Sequence, residues 1–141
     1  HIRRILKAIH KKTIRYSEIT EDAEIDADVM IIDNIGMLAS LYAYGNIAYI
    51  GGGFGAGIHN TLEAAVFGIP VVFGPMFHKF DEAEELVKRK AAFTVKNKEK
   101  FFSTVNKLIL NADFRYKAGE NSKNYVNENI GATLKILNYI K

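Results

Sequence analysis

The chain has 141 residues, of which 48% are hydrophobic and 25% charged, with a net charge of +3 and no cysteine. This composition is typical of one globular domain, and it excludes a disulfide framework, a thiolate nucleophile and a cysteine-based zinc site. The chain lacks both a zinc-finger signature and a basic stripe interleaved with aromatic residues, so we expect no nucleic-acid partner.

The predicted elements begin with an amphipathic helix, HIRRILKAIHKK, followed by a short strand pattern, TIRYSEI. Because the chain starts with His1 inside this helical pattern, we expect it to be a fragment of a longer protein. Four short apolar runs follow: DVMIID (28–33), NIAYIG (46–51), PVVFG (70–74) and AAFTV (91–95). Continuous apolar runs of this length are typical of strands that are buried on both faces of a parallel sheet.

Helical patterns separate these four runs, in the segments GMLASLYAYG, NTLEAAVFG and KFDEAEELVKRK. The alternation predicts an α/β fold, a Rossmann-like parallel sheet with flanking helices in which successive strands lie side by side. After residue 96 the segments FFSTVNKLIL and TLKILNYIK predict two or three further helices. Residues 96–141 hold nine Lys/Arg against four Asp/Glu, which we interpret as a solvated face that permits an electrostatic contact with a membrane surface.

Ligands of open parallel sheets collect beyond the carboxyl ends of the strands. This rule selects three loops: Asp33 to Gly36, Gly51 to Asn60, and Gly74 to Asp81. The middle loop, GGGFGAGIHN, is rich in glycine and leads directly into the predicted helix TLEAAVF. Asn60 is placed to cap that helix and Glu63 to close a capping box, with Gly68 and Pro70 marking its end.

Glycines let a backbone approach a phosphate closely, and the first amides of a helix are unpaired donors with a partial positive charge. The loop therefore predicts a phosphate-bearing ligand. It is not a P-loop, since Ile58 and His59 stand where Lys and Ser/Thr are required. The dinucleotide pattern is met only formally, by Gly51, Gly53 and Ala56, and PVVFG does not end in the acidic residue that would hold a ribose.

A purely structural interpretation of this loop stays open. Glycine runs also form tight turns without any ligand, and Asn60 with Glu63 would then be only a stabilising cap. A lone histidine such as His59 is commonly a hydrogen-bonded loop residue.

The same residues carry a resemblance to a known family. DNIGMLASLY, then YIGGGFGAGIHNTLEAAVFGIPVVFGP, then KFDEAEEL resembles the C-terminal domain of the 3-deoxy-D-manno-octulosonic acid (Kdo) transferases of lipopolysaccharide biosynthesis. The matching positions are Asp33, Gly36, Leu38, Gly51, Gly52, Gly57, His59, Asn60, Leu62, Glu63, Gly74, Pro75, Phe80 and Glu82. The departures from the family pattern are Asn34 for Thr, Met37 for Glu, Gly53 for Ser, Ile58 for Gly, Thr61 for Pro and Lys79 for Asn.

The resemblance implies that residues 1–141 are the nucleotide-sugar (donor) binding domain of a two-domain GT-B glycosyltransferase. The family moves Kdo from CMP-Kdo to a lipid A precursor without a cofactor and without a metal ion on the donor phosphate. The general base and the acceptor site are then expected in a missing N-terminal domain, so that this fragment alone is soluble and inactive while the full-length protein works at the cytoplasmic face of the bacterial inner membrane. The substrate-binding residues that we predict are Asn34, Gly36, Gly51, Gly52, Gly53, His59, Asn60, Thr61 and Glu63.

Two alternatives remain at this point. One is a GT-B domain of a UDP-sugar transferase or epimerase. The other is a non-catalytic protein-binding module that uses a sheet edge or the basic C-terminal helices.

Overall fold

The computed structural model describes residues 2–131 and divides into two compact units, one ending at Leu38 and the other beginning at Ala39. The predicted helix over TLKILNYIK lies outside the described residues.

The first unit contains one helix and two short strands. These are α1 (Ile2–Ala8), β1 (Thr13–Arg15) and β2 (Val29–Ile31), with a 3-10 turn at Tyr16–Glu18 after β1. The strands pair in parallel, with Thr13 opposite Val29 and Arg15 opposite Ile31. The carboxyl ends of both strands therefore lie side by side.

The second unit is a parallel sheet with helices on both faces. Its strands are β3 (Ala48–Tyr49), β4 (Val71–Phe73) and β5 (Ala92–Thr94), hydrogen-bonded in the order β3-β4-β5. Its helices are α3 (Leu62–Ala65), α4 (Asp81–Lys88), α5 (Lys98–Leu110) and α6 (Ala112–Asn129). Helix α2 (Leu38–Leu41) spans the boundary between the units and continues into a 3-10 turn, Tyr42–Tyr44.

Strand β4 has no exposed side chain because it is covered on both faces. Val71 and Phe73 belong to a core cluster that includes Leu86 of α4, whereas Val72 belongs to a second cluster with Leu108 of α5. This alternation follows from the two-residue period of a strand. Burial of this central strand on both faces thus fixes the position from which the loops after β3 and β4 leave the sheet.

Two asparagines determine where the last helices begin. Asn97 Oδ1 accepts a hydrogen bond from the Lys100 amide (2.9 Å), and Asn111 Oδ1 accepts one from the Phe114 amide (2.8 Å). Both are side-chain N-caps that satisfy an otherwise unpaired amide. Arg115 then donates to the carbonyls of Leu108 and Ile109 at the end of α5, which closes the tight connection between the two helices.

The predicted fold class, an α/β fold with parallel strands and flanking helices, is confirmed. All five predicted strands are present, each shorter than its apolar run. The prediction of one sheet that joins all the strands is wrong for the described residues, because β2 pairs with β1 in a sheet of its own. An apolar run identifies a strand but not its hydrogen-bonding partner. No helix within residues 2–131 is long and apolar enough to cross a membrane.

Candidate functional site

The glycine loop, Gly51 to Asn60, follows β3 and folds back on itself. The Gly53 amide donates to the Gly57 carbonyl (2.6 Å), and the His59 amide donates to the Gly51 carbonyl (3.3 Å). Ile58, which replaces a glycine of the family pattern, is buried in the core and anchors the returning half of the loop. The tip, residues 54–56, is exposed.

A second loop, Gly74 to Asp81 after β4, packs directly on the first. Gly53 has a φ of +79°, and a Cβ built there would lie 2.7 Å from the Gly74 Cα. The Gly53 carbonyl also accepts a hydrogen bond from the Met76 amide (2.9 Å). Only glycine fits a left-handed conformation with backbone so close. The departure from Ser to Gly at position 53 is therefore required by this packing.

The loop offers fewer unpaired amides than we expected. The Gly53 amide donates to Gly57 within the loop and is not free in this conformation, and Gly53 as a binding residue stays a prediction. Among residues 2–131, the amides of Gly51, Gly52, Asn60 and Thr61 have no hydrogen-bond acceptor. Gly51, Gly52 and Asn60 are exposed, so their amides are donors that a ligand could use, whereas Thr61 is buried.

Asn60 and Glu63 form a hydrogen-bonded pair at the end of the loop. Asn60 Oδ1 accepts from the Leu62 amide (3.0 Å), and Asn60 Nδ2 donates to Glu63 Oε1 (3.0 Å). Both side chains are exposed. Within the described residues Glu63 Oε2 has no partner, so the carboxylate is held in place at one oxygen and can accept from a ligand at the other.

The predicted capping box is not formed. The cap residue is Thr61, whose carbonyl accepts from the Ala65 amide, and Glu63 accepts from the side chain of Asn60 rather than from its backbone. Helix α3 has only four residues. Because the helix dipole is a sum over aligned peptide units, individual amides outweigh the dipole here.

His59 and Thr61 differ in accessibility. His59 is exposed, and its ring lies near Gly51, where a built Cβ would be 3.6 Å from His59 Cδ2. Thr61 is only 1% exposed, and its hydroxyl has no hydrogen-bond partner among the described residues. The whole residue, its amide included, is therefore closed to a ligand in this conformation, and Thr61 as a binding residue stays a prediction.

Glu63 also influences a neighbouring tyrosine. Burial raises the pKa of the Tyr42 phenol, and the negative charge of Glu63 raises it further. Tyr42 therefore stays neutral at physiological pH and can donate a hydrogen bond beside this carboxylate.

A groove of about 280 Å³ lies between the tip of the glycine loop and the second loop. Its lining residues are Gly55, Ala56, Gly57, Pro75, Met76, His78, Lys79 and Phe80. One wall is the contact of Phe80 with Gly57, where a built Cβ would lie 3.0 Å from the ring. Gly57 has a φ of +132°, so a side chain there would be strained and would strike Phe80.

Two predicted residues, Asn34 and Gly36, belong to the first unit. Both are exposed, and Gly36 has a φ of +99° with open space around it. Asn34 Nδ2 lies 2.8 Å from Met37 Sδ, so the methionine that replaces the family glutamate is a contact of the asparagine.

Asp33, the first residue of this motif, is an internal partner in the first unit. Its carboxylate accepts hydrogen bonds from Arg15 Nε (2.9 Å), from the Ser17 amide (3.0 Å) and from the Ser17 hydroxyl (2.6 Å). The Ser17 hydroxyl and amide, together with the Arg15 guanidinium, lower the pKa of Asp33 to about 2. The side chain is 2% exposed, so it joins the ends of β1 and β2 and is not accessible to a ligand.

No group of three or more His, Cys, Asp or Glu residues in the described chain is arranged to hold a metal ion.

Several known proteins that are similar to this chain are 3-deoxy-D-manno-octulosonic acid transferases. The chain is 38% identical over 87 residues to a 3-deoxy-D-manno-octulosonic acid transferase of Aquifex aeolicus, an alignment that covers 60% of this chain and 25% of the relative. It is 31% identical over 138 residues to the enzyme of the same name from Rickettsia prowazekii, covering 92% of this chain and 30% of the relative.

The resemblance to the Kdo transferases is confirmed. The chain spans about a quarter of the length of the Kdo transferases it matches first. No family model matches the chain.

The fold also has a solved counterpart. The crystal structure of the C-terminal CMP-Kdo binding domain of WaaA from Acinetobacter baumannii superimposes with a TM-score of 0.75 and covers 89% of this chain and 66% of that one, at 20% identity. At this identity the superposition establishes the fold. The fold expected from the Kdo transferase resemblance is thus the observed one.

The groove residues were not among the nine predicted binding residues. The rule that ligands collect at strand ends selected the second loop, but neither its turn chemistry nor its contact with Gly53 is visible in the sequence. Lys79 stood out only as a departure from the Kdo transferase pattern.

Proposed function

We propose that the chain is the donor-binding domain of a glycosyltransferase that moves Kdo from CMP-Kdo to a lipid A precursor. The observation that carries the proposal is that a chain related to the Kdo transferases has a strand-end loop with unpaired amides and an exposed, hydrogen-bonded carboxylate one residue into the next helix. Unpaired amides bind an anion, and a carboxylate accepts hydrogen bonds from the two hydroxyls of a diol.

We assign the following roles to the predicted residues, and the geometry of the loop supports them. The amides of Gly51, Gly52 and Asn60 donate to the phosphate of CMP and stabilise the charge that develops on the leaving group. Thr61, which follows them in the chain, is a further proposed contact. Glu63 accepts from the ribose hydroxyls, and Asn60 holds it in position. His59 donates to the phosphate or to the sugar carboxylate. Asn34 and Gly36 are proposed donor contacts from the first unit.

The proposal includes no cofactor and no metal ion on the donor phosphate. CMP binding should then be the same with and without a chelator such as EDTA. A marked loss of affinity in EDTA would assign part of the phosphate neutralisation to a cation.

The acceptor site and the general base are proposed to lie in an N-terminal domain outside these residues. The isolated chain should then bind CMP weakly and transfer nothing, because the reactants must be held by both walls of the cleft. In the full-length protein, we propose that the acceptor is met at the cytoplasmic face of the bacterial inner membrane.

Calorimetric titration with CMP, UDP and cytidine tests the assignment. We expect CMP to bind more tightly than UDP, and cytidine, which lacks the phosphate, to bind least. Preferential binding of UDP would favour a UDP-sugar transferase and contradict the Kdo proposal.

A second candidate function has one specific observation behind it. The chain is 29% identical over 107 residues to a bifunctional glycosyltransferase/methyltransferase of Fusobacterium nucleatum, which covers 74% of this chain and 17% of the relative. The alternative that we retain is therefore a glycosyltransferase domain with a different acceptor. The nucleotide titration distinguishes this alternative from a Kdo transferase only if its donor is not a CMP-sugar.

A further inference from the structure

The groove between the two loops is lined in part by a positively charged side chain, Lys79, which stands where the family pattern has Asn. The segment Phe77 to Phe80 is a tight turn, closed by a hydrogen bond from the Phe80 amide to the Phe77 carbonyl (2.9 Å), with His78 and Lys79 at its corner. Phe77 is buried and packs on Phe73, their ring centroids 5.4 Å apart. The turn is therefore anchored in the core, while its two basic residues are exposed.

The two basic residues are not equivalent. His78 Nδ1 lies 2.8 Å from Glu84 Oε1, and its ring stacks on Phe77 with centroids 4.3 Å apart. Lys79 forms no salt bridge and donates no side-chain hydrogen bond within residues 2–131, although three acidic residues follow in the first turn of α4. Lys79 thus offers an unpaired cation at the edge of the groove.

The opposite side of the groove supplies further donors. The amides of Gly55, Ala56 and Gly57 have no acceptor in the described part of the chain. The other lining side chains, Pro75, Met76 and Phe80, are apolar. Lys79 and the three residues with unpaired amides line the same groove, which is otherwise apolar. A cation and amide donors beside apolar walls favour an oxyanion, because partial desolvation strengthens each charge-assisted hydrogen bond.

We infer that this groove binds an oxyanion of the donor substrate and that Lys79 is its counter-cation. The inference rests on the proposed function, since it names the part of the nucleotide-sugar that this groove takes. Two oxyanions of a CMP-Kdo donor qualify, the phosphate of the nucleotide and the carboxylate of the sugar. A lysine ammonium is a point charge and can donate to a phosphate or to a carboxylate. The two oxyanions are therefore distinguished by experiment.

Lys79 has a clear reason to be cationic in this chain. A serine cannot stand at position 53, because the backbone of Gly74 occupies the place of its Cβ, and the Gly53 amide is bonded to Gly57. The glycine loop therefore has neither a serine hydroxyl nor a free amide to offer at position 53. Lys79, on the loop that packs against Gly53, restores donor capacity from the opposite wall.

The test compares Lys79→Ala, Lys79→Arg and the control Lys117→Ala, an exposed lysine of α6 that removes the same charge away from the groove. Affinities for CMP, free Kdo and cytidine are measured by calorimetry. We expect Lys79→Ala to weaken binding of CMP or of Kdo about tenfold, the usual effect of losing one hydrogen bond to a charged group. Lys79→Arg should stay within about threefold of the unsubstituted chain, and cytidine binding and the Lys117→Ala chain should be unchanged.

The two anionic probes identify the source of the oxyanion. A loss confined to CMP places the phosphate in the groove, and a loss confined to Kdo places the carboxylate there. If Lys79→Ala and Lys117→Ala give the same affinities for both probes while the unsubstituted chain binds CMP, this inference is wrong and the proposed function stands. If the unsubstituted chain binds neither probe, the proposed function itself fails.

Discussion

A ligand-binding role and a purely structural role of Glu63 predict different effects of substituting it. Glu63→Gln keeps an acceptor oxygen for Asn60 but removes the charge and one of the two strong acceptors that a ribose diol needs. We expect CMP affinity to fall at least about tenfold, with a change in Tm of less than about 3 °C. Calorimetry and thermal unfolding measure the two effects.

Glu99→Gln is the matched control, since Glu99 is an exposed carboxylate in the first turn of α5. It should leave CMP affinity unchanged. A Glu63→Gln chain that binds CMP normally and melts markedly lower would establish a purely structural role for this carboxylate.

Gly53 tests the packing of the two loops. Gly53→Ala introduces a left-handed alanine and a Cβ 2.7 Å from backbone, which we expect to cost about 2–5 kcal/mol in the free energy of unfolding. Gly55→Ala has no atom within 4 Å of the new Cβ, so it should change that free energy by less than about 0.5 kcal/mol. Equal denaturation midpoints for the two variants would contradict the close contact of Gly53 with Gly74.

Asp33 gives the first unit a dependence on pH. Its pKa is lowered from 3.8 to about 2 in the folded chain, so the ionised form is bound more strongly when folded. This contribution to stability is fully present above pH 4 and is lost as the pH falls from about 4 towards 2. Amide hydrogen exchange of residues 13–31, followed across this range, should report the loss.

Asp33→Asn should remove that pH dependence, while Asp26→Asn should not. Asp26 is the matched carboxylate because it also pairs with a basic residue, Lys12, but is 82% exposed. Protection in the first unit that is flat between pH 4 and 2 in the unsubstituted chain would show that Asp33 is not held as the structure describes.

At the scale of elements, the sequence predicted strands better than it predicted helix ends. Continuous apolar runs identified β2 to β5, although only β4 is buried at every position and Met30 of β2 and Tyr49 of β3 are exposed. The helix after the glycine loop was expected to run to Phe67, but it ends at Ala65, because the Phe67 and Gly68 amides donate to residues three positions back, as in a tight turn, and Gly68 has a φ of +66°. Turns of this kind depend on loop geometry, which sequence spacing does not give.

The packing of α6 against the chain that follows α3 is another feature that could not be predicted from the sequence. Gly119 of α6 lies against the end of α3, where a Cβ built on it would be 2.2 Å from the Gly68 carbonyl oxygen. The next turn of α6 places Ser122, fully buried, where its hydroxyl donates to the Ile69 carbonyl (3.1 Å). A glycine inside a helix normally signals weakness, but here it permits close approach.

Gly119→Ala should therefore destabilise the chain although alanine is the better helix former by about 1 kcal/mol. We expect a net loss of about 1–3 kcal/mol in the free energy of unfolding, since the new methyl group must push α6 away from Gly68. Asn124→Ala, at an exposed position of the same helix, should be neutral or slightly stabilising. Denaturant unfolding monitored by circular dichroism compares the two, and a stabilised Gly119→Ala chain would be incompatible with this packing.

At the scale of the whole molecule, what the sequence supplied was a fold class and a family resemblance, and both are confirmed. The pairing of β2 with β1 could not be predicted, because strand pairing depends on which edges meet in space and not on apolar character. The groove between the loops could not be predicted either, since it exists only because Gly53 and Gly74 touch. A sequence pattern of strand, glycine loop and helix indicates where a candidate site lies, but it does not give the residues that line the groove.

The central claim is that the unpaired amides of the glycine loop bind the phosphate of CMP. Titrating the isotopically labelled chain with CMP and recording amide chemical shifts tests it most directly. We expect saturable shifts at Gly51, Gly52, Asn60 and Thr61, with cytidine producing far smaller changes at the same amides. Shifts that are absent, or that occur only on α5 and α6 while these four amides stay unchanged, would contradict it.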